Sequence, residues 1–498
     1  MTIVVVLLGL FLLVLGGYYY LCGFQAHGYK IKESLGVTKL ALIDGISVLC
    51  VLIISLSFEL SGYKKSDFLC LITLIPSFVG AIIKVVKYIG LRLIFTKRMT
   101  RLFCVYSALC LIFGVLAFLF ESFLRVFGIV VSLAFVISYG ALLITTPFEN
   151  KNNQKYIQKA KDKLSKVAPR IIGVTGSAGK TSVKEILKNL LSPLGKVYAT
   201  PKSYNTPLGI TFAVDEMPDD TDIFLVEYGA RNKGDIDCLL KIAKPEIGIL
   251  TSITPQHLET FGSIQNIFGE KVKLLKASSR SFASEKCKWA SNDFPQDTEF
   301  FGESCYLNKI FSTENTYLSL LINGKKITFT TSLLGSVNAD NLVLAIGVAL
   351  SLGVTCEQIV ERISQIQAVP HRMQRVQTAG GVTVIDDSFN INPVGAISAL
   401  DVLKTASGRK IVTCSGFVEQ GTNDNQAIKT LCDKIIRTAD SVIVLGRKNK
   451  KKLIENLNGK IEYHYAKDIE ECKKLYSKIL SRGDTLLILA DIPMSYEL

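Results

Sequence analysis

The segment from Arg170 to Ser182 has the composition of a loop that binds phosphate groups. Its sequence is RIIGVTGSAGKTS: β-branched residues lead into a glycine loop, and apolar residues at helical spacing follow it. This order of strand, loop and helix turns backbone N–H groups and a helix N-terminus toward an anion. Lys180 could neutralise phosphate charge and Thr181 could bind magnesium. The residues that we predict to bind nucleotide here are Gly176, Ser177, Ala178, Gly179, Lys180, Thr181 and Ser182.

Polar residues follow further apolar runs, and taken singly each has an ordinary structural explanation. Glu227 ends the run IFLVE, where an acidic residue could hold magnesium or simply be solvated. His257 comes after the run IGILTSI, where a lone histidine is usually structural. Arg372 could pair with a surface acid, and Asp387 could cap a helix. The residue types alone therefore do not decide whether these residues bind a ligand or have a structural role.

The motifs, taken in order along residues 168–498, resemble those of the Mur ligases. The resemblance begins with GVTGSAGKTSVKE and is closest to the family members that add D-alanyl-D-alanine to UDP-N-acetylmuramoyl-tripeptide. It implies an ATP-dependent amide ligase whose acceptor carboxylate becomes an acyl phosphate. The further matching segments are TPKSYNTPLG (200–209), FLVEYGA (224–230), TSITPQHLETFGS (251–263), GSVNADN (335–341), HRMQR (371–375) and VIDDSFNINP (384–393).

The resemblance also implies roles for individual residues. Magnesium would be held by Thr181 and Glu227, and a second magnesium ion by His257 and a carbamylated Lys271. Asn341 would contact adenine, Arg372 the ATP phosphates and Asp387 the ribose. Lys180, His257, Lys271 and Arg372 would form the catalytic set. Three positions depart from the family pattern: Val337 replaces a histidine, Lys273 a glutamate and Phe389 a tyrosine.

The elements that carry these residues follow a strongly apolar N-terminal part. The 498-residue chain has a mean hydropathy of +0.34, and the long apolar runs lie in the first 150 residues. A membrane helix needs about 20 mostly apolar residues. Five segments meet this requirement, and they run from Thr2 to Phe24, Leu40 to Leu60, Phe68 to Gly90, Leu102 to Phe120 and Val126 to Pro147.

The distribution of basic residues predicts how these helices would be oriented. Lysine and arginine are concentrated in the loops between helices one and two and between helices three and four, and after helix five. The positive-inside rule then places the N-terminus outside and the catalytic domains in the cytoplasm, at the inner membrane of a bacterium. The basic stretch 151–167 is a linker that could also contact acidic lipid. The net charge of +14 comes without a nucleic-acid-binding motif, so we expect no nucleic-acid partner.

The predicted architecture is an α-helical transmembrane bundle of about five helices followed by α/β domains. Residues 1–150 would form the bundle and 151–167 the basic linker. The P-loop central domain would span 168–333, and a Rossmann-like C-terminal domain 334–498. Strand-like runs at Lys410–Cys414, Ser441–Leu445 and Asp484–Leu489 support the second sheet.

One feature of the sequence leaves the identity of the substrate undecided. The soluble family members bind the UDP part of their acceptor with an N-terminal domain, and apolar helices are predicted in the corresponding part of this chain. The first expectation is a ligase that adds D-alanyl-D-alanine to a UDP- or lipid-linked peptidoglycan precursor. The alternatives are an amide ligase that joins an amino acid or dipeptide to a lipid-linked precursor or a poly-amino-acid chain, and a non-catalytic membrane scaffold or nucleotide sensor.

Overall fold

The computed structural model describes most of the chain in two compact units. The described residues are 2–26, 28–29, 46, 74–75, 78–79, 93–120, 131, 134–389, 391–417 and 424–490. The first unit is Met1–Lys155 and the second is Tyr156–Leu498.

Most of the described residues of the N-terminal unit are helical. Helix α1 (Thr2–Ala26) packs against α2 (Lys97–Leu119), and the first part of α3 (Ala134–Val167) belongs to the same unit. The Tyr106 hydroxyl donates a hydrogen bond to the carbonyl oxygen of Leu13 and so satisfies a buried donor between α1 and α2.

Among the described residues of this unit, two helices are long and apolar enough to cross a membrane, namely the parts Val6–Gln25 and Lys97–Leu116. They coincide with the first and fourth predicted spans. The second and third predicted spans lie almost entirely outside the described residues. The described part of the fifth runs without a break into a polar helix and does not qualify as a span. The five-helix bundle is therefore not confirmed.

A six-stranded parallel sheet forms the centre of the second unit. Its order, β2-β3-β1-β4-β5-β6, places β1 between β3 and β4. Loops at the carboxyl ends of neighbouring parallel strands meet at one edge, which is where open α/β sheets bind ligands. The strands are β1 (Arg170–Thr175), β2 (Val197–Ala199), β3 (Ile223–Tyr228), β4 (Ile247–Leu250), β5 (Arg280–Ser284) and β6 (Glu299–Phe301).

Helices and a small antiparallel sheet cover this central sheet. The strands of the small sheet are β7 (Tyr306–Phe311), β8 (Thr316–Ile322) and β9 (Lys325–Thr331). The helices are α4 (Lys180–Leu190), α5 (Pro207–Glu216), α6 (Asp235–Leu240), α7 (Leu258–Phe261), α8 (Ile264–Lys276), α9 (Gly335–Ser351) and α10 (Cys356–Ile363).

Helix α9 packs with the central domain, although the predicted boundary at residue 334 assigned it to the C-terminal domain. It lies against α4, and Leu342, Val343 and Ile346 are buried in the same core as β1 and β4. A helix with so many buried apolar side chains must pack on more than one surface. The packing favours a division between the domains after α10 instead.

Residues 151–167 are helical and do not form the predicted linker. Helix α3 continues through them to Val167, even though Pro147 lies within it. Ala160 and Leu164, four residues apart on one face of the helix, are buried in the central domain against α5. Lys163 donates hydrogen bonds to the backbone carbonyls of Asp215 and Met217. This end of the helix is therefore a structural part of the central domain.

The C-terminal domain contains a second six-stranded sheet, as the strand-like runs predicted. Its order is β10-β11-β15-β12-β13-β14, with β10 antiparallel to its neighbour and the other pairs parallel. The strands are β10 (Gln374–Gln377), β11 (Thr383–Asp386), β12 (Lys410–Cys414), β13 (Ser441–Leu445), β14 (Glu462–Ala466) and β15 (Thr485–Leu489). The helices are α11 (Pro393–Leu403), α12 (Asp424–Thr438), α13 (Lys450–Leu457) and α14 (Ile469–Ile479).

Candidate functional site

The glycine loop lies between β1 and α4, where the sequence predicted it, and two glycines are essential to its path. Gly176 has a φ of 152°, and a Cβ atom there would lie 2.0 Å from the Thr251 hydroxyl. Gly179 has a φ of 83°, and its Cβ would lie 2.5 Å from Oδ1 of Asn341. Both positions therefore exclude larger residues, through backbone conformation and close approach.

Lys180 folds back over this loop. Its Nζ donates hydrogen bonds to the carbonyl oxygens of Gly176 and Ser177, at 2.9 and 3.1 Å. Burial lowers the pKa of Lys180 below its usual value; Glu227 raises it, and the positive charges of Arg372 and Arg231 lower it further. A lysine in these surroundings favours a nearby anion, because added negative charge compensates the buried ammonium.

Both carboxylate oxygens of Glu227 accept hydrogen bonds from neighbouring side chains. It is the penultimate residue of β3, which pairs with β1, and it is 1% exposed. Its Oε2 accepts a 2.9 Å hydrogen bond from the Thr181 hydroxyl. The Asn205 amide donates to Oε1, also at 2.9 Å. The carboxylate is thus fixed beside the first turn of α4, within reach of the glycine loop.

Lys271 is a buried lysine in α8 close to the same charges. Burial and the charge of Lys180 lower the pKa of Lys271 well below its usual value, and Glu270, Asp235 and Glu227 oppose that shift. A lowered pKa increases the share of the neutral amine.

Lys273, which replaces the family's glutamate, forms ion pairs with two carboxylates. Its Nζ contacts Oε2 of Glu270 at 2.8 Å and Oδ2 of Asp237 at 2.6 Å. Glu270 also accepts a hydrogen bond from the Ile236 backbone N–H at 2.8 Å. Lys273 therefore joins α8 to α6 through an ion-pair network.

The described residues do not place His257 in a metal-binding cluster. His257 has a left-handed φ of 56° and precedes α7. Within the described ranges, no group of three or more His, Cys, Asp or Glu side chains could hold a metal ion. Its role as a ligand of a second magnesium ion remains a prediction.

Arg372 extends from the C-terminal domain into the charged region around the glycine loop. Its guanidinium lies 4.9 Å from the centre of the Phe389 ring. Burial lowers the pKa of Arg372, while the carboxylates of Glu227 and Asp387 raise it. Asp387 Oδ1 also accepts a hydrogen bond from the Met373 backbone N–H at 3.2 Å. Charges from both α/β domains therefore meet near Glu227.

A cavity of about 600 Å³ opens beside the first turns of α4. Thr181 and Ser182 border it from the central domain, and His371, Arg372 and Phe389 from the C-terminal domain. Its size is within the range of small-molecule sites.

Of the ten residues predicted to contact the nucleotide, only Thr181, Ser182 and Arg372 line this cavity. Asn341 packs on Gly179 instead, and Asn338, one turn earlier in α9, lines the cavity. Asp387 also lies outside the residues that line it. Their predicted contacts with adenine and ribose therefore remain predictions.

Two residues of this site are not among the site residues predicted from the sequence. Asn205 binds Glu227, yet its motif alone indicates only a turn. Lys184 lies one turn after Lys180 and is fully buried. A helical lysine usually extends into solvent, so the pattern gave no reason to expect a buried ammonium.

Two family models match the α/β part of the chain. Residues 174–349 match the Mur ligase middle domain, and residues 371–491 match the Mur ligase glutamate ligase domain. This chain belongs to the Mur ligase family. The gap between the matches coincides with the region after α9, in agreement with the packing of that helix.

Two curated relatives are matched over part of their length. A UDP-N-acetylmuramoyl-tripeptide--D-alanyl-D-alanine ligase of Bacillus subtilis (strain 168) is 26% identical over 275 residues, which cover 53% of this chain and 60% of the relative. The protein of the same name from Mycobacterium bovis is 32% identical over 250 residues, covering 47% and 48%. This Mur ligase family member therefore spans about half to 60% of these relatives.

Solved structures of the family share its fold. MurF from Acinetobacter baumannii has a TM-score of 0.61 at 22% identity, covering 68% of this chain and 78% of that one. MurF ligase from Thermotoga maritima, in complex with ADP, has a TM-score of 0.61 at 23% identity, covering 68% and 80%.

Proposed function

We propose that this chain is an ATP-dependent amide ligase that forms ADP, phosphate and a peptide bond. The observation that carries the proposal is the convergence of Lys180 and Glu227 from the central domain with Arg372 from the C-terminal domain. Phosphoryl transfer depends chiefly on positioning and on charge neutralisation. A site whose charges come from two domains suits a reaction completed by domain closure.

The chemistry assigned to the chain's residues has two steps. The acceptor carboxylate attacks the γ-phosphorus, the bond to the β–γ bridging oxygen breaks, ADP leaves and an acyl phosphate forms, while Lys180 and Arg372 compensate the phosphate charge. An amine then attacks the acyl carbon, phosphate leaves, the amine nitrogen loses a proton and the amide forms. We expect phosphate oxygens to replace the Gly176 and Ser177 carbonyls as partners of Lys180. The nucleoside would occupy the cavity beside Thr181.

Magnesium fits the residues that are present. Thr181 and Glu227 offer a hydroxyl and a carboxylate oxygen 2.9 Å apart. Magnesium is typically bound by one or two carboxylates together with substrate phosphates and water, so a large protein cluster is not required. The ion would supply positive charge at the phosphates.

Lys271 would provide a further ligand after carbamylation, as the resemblance to the Mur ligases implies. Its neutral amine would add to carbon dioxide, forming an N–C bond and losing one proton, and the product ends in a carboxylate. The burial of this amine supports the assignment, because burial favours the unprotonated form that reacts.

The names of the relatives support a substrate for this site. The Bacillus subtilis and Mycobacterium bovis proteins are named as ligases of UDP-N-acetylmuramoyl-tripeptide and D-alanyl-D-alanine. The proposal is therefore that the present chain adds D-alanyl-D-alanine to a muramoyl-tripeptide in peptidoglycan synthesis.

A second candidate acceptor is a lipid-linked precursor, with the chain attached to the inner membrane and its α/β domains in the cytoplasm. Two apolar helices in the N-terminal unit and the net charge of +14 favour attachment to an anionic membrane. An acceptor carried by the same membrane would be presented to the ligase without the family's UDP-binding domain.

Phosphate release from ATP by the detergent-purified chain tests both candidates. Muramoyl-tripeptide is offered in UDP-linked and lipid-linked forms, each with and without D-alanyl-D-alanine. Release that needs acceptor and dipeptide together would support the proposal and identify the carrier. The mass of the product must exceed that of the acceptor by D-alanyl-D-alanine less one water.

Two variants control this assay. Lys180→Ala should abolish release, whereas Lys188→Ala, exposed on the same helix, should not change it. Tight ATP binding without release for either acceptor would contradict the substrate assignment. That result would favour another amine donor or a nucleotide sensor.

A further inference from the structure

Lys184 lies fully buried in α4, one helical turn after Lys180. Its side chain is 0% exposed, which is rare for a lysine unless its ammonium is fully paired. The ammonium donates hydrogen bonds to the backbone carbonyls of Thr200 and Lys202, the second at 2.7 Å. It also lies 3.3 Å from Oε1 of Glu185 and 3.8 Å from Oε2 of Glu227.

These contacts fasten the segment from Thr200 to Thr206, which we call the Asn205 loop, to α4. Lys202 has a left-handed φ of 49°, a conformation that a side chain makes unfavourable. Its carbonyl is one of the two that Lys184 binds, so the ammonium supports the loop at its strained residue. Both bonds go to the backbone, and they do not depend on which side chains the loop carries.

The other face of the Asn205 loop encloses Glu227. The Thr200 hydroxyl accepts a 3.3 Å hydrogen bond from the Glu227 backbone N–H. Asn205 donates to Oε1, and its carbonyl accepts from the Gly229 backbone N–H at 3.1 Å. One oxygen of the carboxylate is thus oriented by α4 and the other by the loop.

We infer that Lys184 is a positioning residue that keeps the Asn205 loop against Glu227 and thereby sets the affinity of this carboxylate for a divalent cation. The inference rests on the proposed function, in which Glu227 holds magnesium beside ATP. Lys184 touches neither nucleotide nor acceptor in this role. Loss of a group that orients a metal's ligand through hydrogen bonds typically changes metal affinity by about 10- to 100-fold.

The charge of Lys184 and its positioning role predict opposite results. A cation 3.8 Å from Glu227 repels an arriving magnesium ion, so losing its charge alone would strengthen magnesium binding. Losing its support of the loop would release Asn205 from the carboxylate and weaken binding. The direction in which magnesium affinity changes when Lys184 is replaced therefore shows whether its charge or its support of the loop dominates.

The test is the magnesium dependence of N-methylanthraniloyl-ATP binding to the full-length chain in detergent, followed by fluorescence without acceptor. Lys184→Met, which removes the charge and the donors at similar length, should raise the midpoint magnesium concentration by about tenfold or more. Lys188→Met, exposed one turn later, should leave it unchanged. Asn205→Ala should raise the midpoint, and adding Lys184→Met to it should raise it little further.

Each remaining outcome decides against the inference or against its basis. An unchanged or lower midpoint in Lys184→Met would overturn the positioning role. If that variant does not fold, the Asn205→Ala variant tests the contact on which the inference depends. An unchanged midpoint magnesium concentration in Asn205→Ala would show that the loop contact does not affect cation binding and would overturn the inference. A wild-type chain that binds the analogue with no magnesium dependence would refute the proposed function instead.

Discussion

The Thr181 hydroxyl donates a 2.9 Å hydrogen bond to Oε2 of Glu227, across 46 residues of sequence. The bond forms because β1 and β3 are parallel neighbours, with Val174 paired to Glu227 in register. The loop after β1 and the end of β3 therefore meet at one edge of the sheet. A glycine loop and a carboxylate brought together in this way are suited to the magnesium–nucleotide complex that we propose.

Glu227→Gln should reduce magnesium-dependent phosphate release by about 100-fold, since it removes a preorganised charge at the reacting phosphates. The glutamine keeps the size of the side chain and can still accept from Thr181 or Asn205. Steady-state assays at several magnesium concentrations measure the effect. Glu216→Gln, at an exposed position in α5, is the control. Equal activity of the two variants would exclude Glu227 from the reaction.

Gly179→Ala should weaken binding of an ATP analogue by about tenfold or more, because the new Cβ displaces Asn341 from the loop as well as straining the backbone. Gly353→Ala is the matched control: its φ of 100° imposes a similar strain of about 1–2 kcal/mol, with open space around the Cβ. Calorimetric titration gives the affinities. Similar losses of affinity in both variants would attribute the effect to general destabilisation.

The glycine loop illustrates what the sequence could predict. The β-branched run, the glycines and the apolar helix spacing are local signals, and the structure has β1 at Arg170–Thr175 and α4 from Lys180. The strands at Lys410–Cys414 and Ser441–Leu445 likewise begin and end at the predicted residues. Such patterns succeed because one segment contains both the propensity and the periodicity of its element.

Features that depend on contacts between segments far apart in the sequence could not be predicted from local patterns. The burial of Lys184 depends on the carbonyls of the Asn205 loop, which no local pattern reports. The six lysines of residues 151–167 indicate a basic linker, whereas the burial of Ala160 and Leu164 depends on their packing in the core of the central domain. The five membrane spans are predicted from length and composition, and the buried core helix of a soluble protein can satisfy the same two criteria.

Arg372→Met should lower the turnover of ATP by about 100-fold, because the guanidinium supplies charge from the C-terminal domain to the site. Arg375→Met is the control, since Arg375 is exposed on the neighbouring strand. Turnover and the KM of ATP are measured at saturating acceptor. Arg372→Lys should recover only part of the activity, because lysine keeps the charge but lacks the planar group that stacks on Phe389. Full activity of Arg372→Met would place the arginine outside the reaction.

Leu164→Ala should destabilise the central domain by about 2–3 kcal/mol, because it opens a cavity where α3 packs on α5. Thermal unfolding of the full-length chain in detergent, with and without an ATP analogue, measures the loss. Ser165→Ala, at the adjacent exposed position, should leave the midpoint unchanged. Leu164 does not line the cavity or touch the glycine loop, so the folded variant should bind the analogue with unchanged affinity at low temperature. An unchanged midpoint for Leu164→Ala would mean that this end of α3 does not contribute to the stability of the central domain, and that residues 151–167 behave as the linker that the lysines suggested.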